Sequence, residues 1–226
     1  MKVVKDDVYV SIYFRKVIKF GKPKTVMIVD VNLDNVTLAV FAPSGELLKL
    51  KRYKTPLRKM LMHRVWIERI QKRYPKSWRF IKGVRRAIKG HGEKIKSIAW
   101  DYAHKIKDSV AKLARKYRAI VVLEDSNHLR DRVNDSSSFS KKLSLWFYRK
   151  IQFTVSYKAL ERGLETRYVN PRKSSSTCPK RGNKLRYNGG RILRYFKCGF
   201  VSDRDVVACI NLFLGDTQDV RCLGLP

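Results

Sequence analysis

Two stretches of this chain are apolar at almost every position: Thr25-Val26-Met27-Ile28-Val29-Asp30-Val31 and Ala119-Ile120-Val121-Val122-Leu123-Glu124-Asp125. Runs this short and this rich in β-branched residues predict strands buried on both faces. Each run carries an acid at or near its end. After the first, Asn32-Leu33-Asp34-Asn35 predicts a turn and Val36 to Phe41 a second strand; Pro43-Ser44-Gly45-Glu46 predicts another turn and Leu47 to Tyr53 a third strand. Together they form an antiparallel meander. Ahead of it, Val8 to Phe14 alternates and predicts a short lead-in strand before a break at Lys22-Pro23-Lys24.

Helical periodicity fills the space between the two apolar runs. A basic helical segment is expected from about Pro56 to Trp78 and a longer helix from about Arg85 to Tyr117. In the second, Ile88, Ile95, Ile98, Tyr102, Ile106, Val110, Leu113 and Tyr117 recur at helical steps and draw one apolar stripe that packs on the sheet. A loop rich in Asn, Asp and Ser then leads into a helix from about Phe139 to Arg162, with Leu143, Phe147, Ile151 and Val155 on one side. Gly163 closes that helix in the C′ position. Glu165 to Val169 reads as a strand, Pro171 opens an insertion ending near Asp203, and a last helix runs from about Asp203 to Leu214, stopping before Gly215. The order predicts an α/β fold: three antiparallel strands continued by two parallel ones in a mixed sheet, with helices on both faces.

Charge changes the picture from fold to partner. Lys and Arg number 51 against 19 Asp and Glu, a formal net charge of +32 on 226 residues, and the chain is 44% apolar, enough to bury a core. Such a surface attracts polyanions. Membrane is the poorer match, because no apolar run approaches the roughly 20 residues that span a bilayer and the N-terminus lacks the apolar stretch of a signal peptide. An intracellular location follows. Cations interleave with aromatics through Arg58, Lys59, Arg64, Trp66, Arg69, Lys72, Arg73, Tyr74, Trp78, Arg79, Arg85 and Arg86, and Arg172 and Lys173 add charge at the start of the insertion. Cations meet phosphates and aromatic rings stack on unpaired bases, which suits a single-stranded nucleic acid.

Three acids carry the candidate chemistry. Asp30 lies inside a Val/Ile strand, Glu124 follows four apolar residues, and Asp205 falls in the first turn of the last helix, where the helix dipole favours an anion. A right-handed crossover sets the fourth strand beside the first, making Asp30 and Glu124 neighbours. Carboxylates gathered without a Lys or His among them repel one another, and a hard cation with oxygen ligands removes the repulsion. Two such cations activate a water on one side of a phosphodiester and stabilise the leaving oxygen on the other. Asp34, Asp125 and Asp203 read as turn or capping residues.

At these residues the chain resembles a known family. Ile28-Val29-Asp30-Val31-Asn32 with Asn35-Val36-Thr37-Leu38-Ala39, then Val121-Val122-Leu123-Glu124-Asp125, then Asp203-Arg204-Asp205-Val206-Val207-Ala208 resemble the three RuvC motifs of TnpB proteins, which insertion-sequence transposons encode and which are related to type V CRISPR effectors. The segment from Val169 to Pro179, with Lys197-Cys198-Gly199-Phe200, is similar to the family's zinc-ribbon insertion. The resemblance implies a ribonuclease H-like (RuvC) fold, an RNA-guided DNA endonuclease with Asp30, Glu124 and Asp205 as its acids and metal ligands, Mg²⁺ or Mn²⁺ as cofactor, DNA and a guide RNA as partners, and a place in the prokaryotic cytoplasm at the nucleoid. It also implies a layout: a lead-in over 1–23 left from a missing N-terminal domain, a nuclease core over 24–171 and 203–215, a ribbon over 172–202 and a tail over 216–226. A zinc ribbon needs two C-x-x-C pairs. This chain keeps Cys178 and Cys198 and has Arg181 and Tyr195 at the partner positions, so a degenerate ribbon without zinc is expected. Cys209 and Cys222 read as core or surface thiols. The alternative function is a catalytically inactive DNA- or RNA-binding remnant.

Overall fold

The computed structural model describes residues 2–4, 7–10, 12–125, 148–170, 174–187, 190–195 and 198–222. A hairpin of β1 (Lys2–Val4) and β2 (Asp7–Tyr9) comes first. The main sheet is built from β3 (Thr25–Val31), β4 (Asn35–Phe41), β5 (Leu47–Lys54), β6 (Ala119–Glu124) and β7 (Thr166–Val169) in the order β5-β4-β3-β6-β7. β3, β4 and β5 pair antiparallel, while β6 and β7 join in parallel. The expected mixed α/β sheet is therefore present.

Its apolar strands are explained by what covers them. Met27, Val29, Val36, Leu38, Val40, Val121 and Leu123 face one side, against α2 (Lys82–Tyr117), α3 (Tyr148–Glu161) and Met60 of α1 (Leu57–Arg73). Ile28, Ala39, Phe41, Ile120, Val122 and Val169 face the other, against Cys209, Leu212 and Phe213 of α4 (Arg204–Cys222). Only central strands need apolar side chains on both faces. At the edge, β5 carries Lys49, Lys51, Arg52 and Lys54, charges that discourage pairing with another chain. Between β7 and α4, a second antiparallel sheet orders β8 (Arg186–Tyr187), β9 (Ile192–Tyr195) and β10 (Phe200–Asp203), held by a small cluster of Cys178, Leu185, Leu193 and Val207.

Several element ends differ from the sequence reading. The first helix stops at Arg73, because Pro75 lacks an N–H and Lys76 turns to φ +62°; a 3₁₀ turn over Ser77–Arg79 follows. α2 then starts at Lys82, a few residues early. The lead-in strand is confined to Asp7–Tyr9, and residues 12–24 have no regular secondary structure. Phe139 to Phe147, read as helix, lies outside the described residues. The last helix does not stop before Gly215 but runs on to Cys222, through residues expected to be a tail. Gly215 is a point of close approach: a Cβ there would stand 2.9 Å from Val169 Cγ1 on β7.

Gly163 does close its helix. Its φ is +69°, its N–H donates to the Leu160 carbonyl (2.9 Å), and the Leu164 N–H donates to that of Ala159 (2.9 Å), a Schellman pattern. A Cβ there would fall on the Lys19 carbonyl oxygen, so strain and clash coincide. Gly163→Ala is expected to lower unfolding free energy by at least about 1 kcal/mol, measurable by denaturant titration; an unchanged midpoint would contradict this role.

Candidate metal-binding carboxylate site

Strand parity places the acids. Asp30 alternates with Ile28 and Glu124 with Val122, so both point to the face that α4 covers. The β3–β6 register pairs Val29 with Leu123, and one further step sets Asp30 beside Glu124. Neighbouring strands lie ~4.8 Å apart. Asp205 enters from above, in the first turn of α4. Asp30 is 3% exposed and Asp205 6%, whereas Glu124 is half-buried.

Electrostatics follow from that placement. Burial lifts the Asp30 carboxyl from 3.8 to about 7, the Asn32 amide opposes the shift, and the negative charge of Asp205 adds to it. Burial likewise lifts Glu124 from 4.5 to about 8, helped by the charges of Asp30 and Asp125. Asp30 thus acts on Glu124 and is itself acted on by Asp205, while the charge of Arg204 opposes its shift. Among the described residues, neither Asp30 nor Glu124 makes an ion pair.

Asp205 is differently served. Arg191, on the approach to β9, donates from Nη2 to Asp205 Oδ2, and Arg52 of β5 brings Nε to 3.6 Å from the same oxygen. The two guanidiniums also reach Asp203, Arg52 Nη2 at 2.7 Å and Arg191 Nε at 3.5 Å. Asp203 in turn accepts the Asp205 N–H at 2.9 Å, an acid capping the start of α4. Among the described residues, no group of three or more His, Cys, Asp or Glu side chains is gathered closely enough to hold a metal ion. The structure therefore couples Asp30 to Glu124 and to Asp205, with the third acid drawn onto arginine.

Amides complete the arrangement. Asn32 Nδ2 donates to Asp30 Oδ2 at 2.6 Å; Thr37 Oγ1 donates to Asn35 Oδ1 and Asn35 Nδ2 to Asp205 Oδ2, each at 3.1 Å. Asn35 and Thr37 are buried on β4, on the Asp30 face. Sequence reasoning missed Asn32, Asn35, Thr37, Arg52 and Arg191. Polar residues at alternate positions of the otherwise apolar β4 were the available signal for Asn35 and Thr37. The Gln152 side chain donates to the Glu124 carbonyl and ties α3 to the end of β6.

Most of the cations expected to bind nucleic acid are exposed side chains of the helical segment between β5 and β6. Arg58, Lys59, Arg69, Lys72 and Arg73 on α1, Arg79 in the 3₁₀ turn, and Arg85 and Arg86 on α2 are exposed; Arg64 is half-buried and pairs with Glu68 at 3.3 Å. Arg172 and Lys173 lie outside the described residues. Trp66 is exposed and Trp78 half-buried, with Arg69 and Arg79 guanidiniums 5.3 and 4.7 Å from their centroids. In the ribbon, Cys178 and Cys198 bring their sulfurs to 3.7 Å. Cys209 belongs to the separate core between sheet and α4, where burial pushes its thiol well above the usual range. No helix of the described residues is long and apolar enough to cross a membrane.

Comparison with known proteins agrees with this architecture. Residues 148–212 match the family description "Cas12f1-like, TNB domain". The TnpB-like protein MJ0751 of Methanocaldococcus jannaschii is 35% identical over 99% of this chain and 80% of its own length. The TnpB-like protein aq_aa05 of Aquifex aeolicus is 28% identical over 91% of this chain and 72% of its own. Among solved structures, Cas12f1 in a complex with sgRNA and target DNA superposes with a TM-score of 0.60 at 20% identity, over 86% of this chain and 51% of that one, which shows the shared fold. The chain spans about half the length of that Cas12f1 chain. With a relative 35% identical along nearly all of it, the chain belongs to the TnpB-like family, transposon-associated proteins of the RuvC-like nuclease class.

Proposed function

We propose that the protein is a divalent-metal-dependent DNA endonuclease in which Asp30, Glu124 and Asp205 hold Mg²⁺ or Mn²⁺. The observation that carries this reading is the pair of acids on adjacent strand ends, Asp30 buried and Glu124 half-buried, each pushed up by lost solvent and neither in an ion pair among the described residues, with the charge of Arg204 offsetting the Asp30 shift only in part. Uncompensated buried carboxylates are costly. A donor set made of carboxylate oxygens alone fits a hard cation. When bound, such ions supply Lewis-acid chemistry, lowering the pKa of a water and stabilising the leaving oxygen of the phosphodiester.

The chain's own residues provide the rest. Asn32 orients the Asp30 carboxylate, and the Thr37–Asn35 relay orients that of Asp205. Arg52 and Arg191 carry planar guanidiniums whose fork matches phosphate oxygens as well as carboxylates, so a scissile phosphate offers them a second anion and leaves Asp205 free to bind metal. Exposed cations on α1 and α2 supply backbone contacts that are strong and sequence-tolerant. DNA and a guide RNA are the partners this reading assigns, supported by that surface and by the nucleic acids bound in the Cas12f1 complex. A second reading, nucleic-acid binding without cleavage, is favoured by the arginines on Asp205.

Cleavage separates the two readings. Protein supplied with Mg²⁺ or Mn²⁺ and co-purifying RNA is expected to cut DNA, and Asp30→Ala or Glu124→Ala to lower the rate about 1000-fold, the several kcal/mol of a lost metal ligand, while DNA binding persists. Absence of metal-dependent cutting by the unaltered protein would favour the second.

A stability measurement tests the site without turnover. Both carboxyls hold protons in the folded chain at pH values where the unfolded chain has lost them, so metal-free stability from this pair falls as pH rises from about 4 to about 8. Melting temperature relative to Asp30→Asn should therefore drop across that window. Mn²⁺ should restore it at the upper end and have no such effect on the variant; parallel profiles for the two proteins would contradict the site.

A further inference from the structure

The ribbon keeps the frame of a zinc site without its ligands. Around Cys178 the chain still makes a tight turn, with the Arg181 and Gly182 N–H groups donating to the Cys178 carbonyl at 3.3 and 2.8 Å, and Gly182 at φ +70°. Beside Cys198, Gly199 stands at φ +66°. The two knuckles face each other, their sulfurs 3.7 Å apart. Yet the positions that would complete the two C-x-x-C pairs are Arg181, an exposed cation, and Tyr195. Among the described residues no third ligand reaches the pair. Two thiolates do not make the closed four-ligand set of a structural zinc ion, so zinc does not fit. The ribbon instead coheres through the apolar cluster of Cys178, Leu185, Leu193 and Val207, with Cys198 and Phe200 packed against it.

We propose that Cys178 and Cys198 form an oxidisable dithiol, a modification site for peroxide-class oxidants that closes to an intrachain disulfide. The pairing distance needs to fall from 3.7 Å to about 2.05 Å, within the reach of side-chain rotation and slight knuckle movement. Exposure assigns the order of events: Cys178 is fully buried and Cys198 partly open. The Cys198 thiolate attacks hydrogen peroxide, the O–O bond breaks, and one water leaves with a proton from solvent as Cys198 becomes a sulfenic acid. Cys178 sulfur then attacks the Cys198 sulfur, the S–O bond breaks, and the thiol proton leaves with the hydroxyl as a second water. In sum, two thiols give up two electrons and two protons, and one peroxide becomes two waters.

The loop so closed contains Arg191, the residue that reaches Asp205 and Asp203. Val207 joins the thiol cluster to α4, and Asn211 Nδ2 ties the same helix to the Ser174 and Thr177 carbonyls at 2.6 and 2.8 Å. A disulfide here fixes the hairpin that carries Arg191 against the helix that carries Asp205. Cys209 is no competitor, because it sits in the other core with its thiol pushed up by burial.

The test is thiol mapping on the full chain, reduced, desalted and exposed to hydrogen peroxide. Two of the four cysteines are expected to disappear from a thiol titration under denaturing conditions. Non-reducing peptide mass mapping should join the Cys178 and Cys198 peptides, dithiothreitol should separate them, and the oxidised protein should melt a few degrees higher. Cys178→Ser should strand Cys198 as a sulfenic acid that dimedone captures. Should that buried substitution prevent folding, Cys198→Ser supplies the control, predicted to form no disulfide at Cys178 and to gain no melting temperature from peroxide. Over-oxidation of Cys198 without a cross-link, a linkage to Cys209 or Cys222, inert thiols, or one bound zinc per chain that Cys198→Ser abolishes would each overturn the proposal.

Discussion

Two negative charges brought together at the ends of adjacent parallel strands set the terms for the rest of this protein. Asp30 and Glu124 share one face of β3 and β6 because their strands run in parallel with a register that aligns them, and that alignment needs the long crossover through α1 and α2. Placed under α4, both lose solvent and both are pushed toward the neutral form. A fold selected only for stability has no reason to keep two carboxylates there, since apolar residues would continue the β-branched pattern of both strands. The third acid arrives on a helix that the ribbon and β5 hold through arginines. Charge balance at the sheet's end is thus divided: Asp205 is in ion pairs with arginines, whereas Asp30 and Glu124 make none among the described residues, and the proposed hard cation would supply their counter-charge.

The arginines connect the site to the parts around it. Arg52 belongs to the edge strand and Arg191 to the insertion, so two otherwise separate elements converge on Asp203 and Asp205. Any movement of the ribbon shifts a positive charge at the site. Among the described residues the ribbon's small sheet is held by an apolar cluster of Cys178, Leu185, Leu193 and Val207 and by the facing sulfurs of Cys178 and Cys198. Small clusters of this kind bury little area and yield to modest forces.

How much of this could be read from the sequence depended on the range of the signal. The central strands were plain because burial on both faces forces an unbroken β-branched run, and the acids stood out against that run. Gly163 was legible since a helix end with φ above zero leaves a local mark. Gly215 misled for the same reason: a glycine near an expected stop resembles a cap, but here it lets α4 lie against Val169. Pro75 ended the first helix where periodicity alone would have continued it. Asn35 and Thr37 left only their alternation on the apolar β4, and nothing local tied Arg52 or Arg191 to the acids. Asn35 and Asp205 are 170 residues apart, and only the fold makes them neighbours. Likewise the facing of Cys178 and Cys198 follows from the ribbon's hairpins rather than from their spacing.

The central claim is that a divalent cation belongs between the buried acids. Diffraction from crystals grown with Mn²⁺, with data collected at the manganese absorption edge, tests it most directly. The account predicts an anomalous peak within ligand distance of both Asp30 and Glu124, ~2.0–2.3 Å for hard oxygen donors, with Asp205 turned from Arg191 toward the metal. A crystal saturated with Mn²⁺ that shows no peak there, and in which Asp205 still holds its arginines, would contradict it.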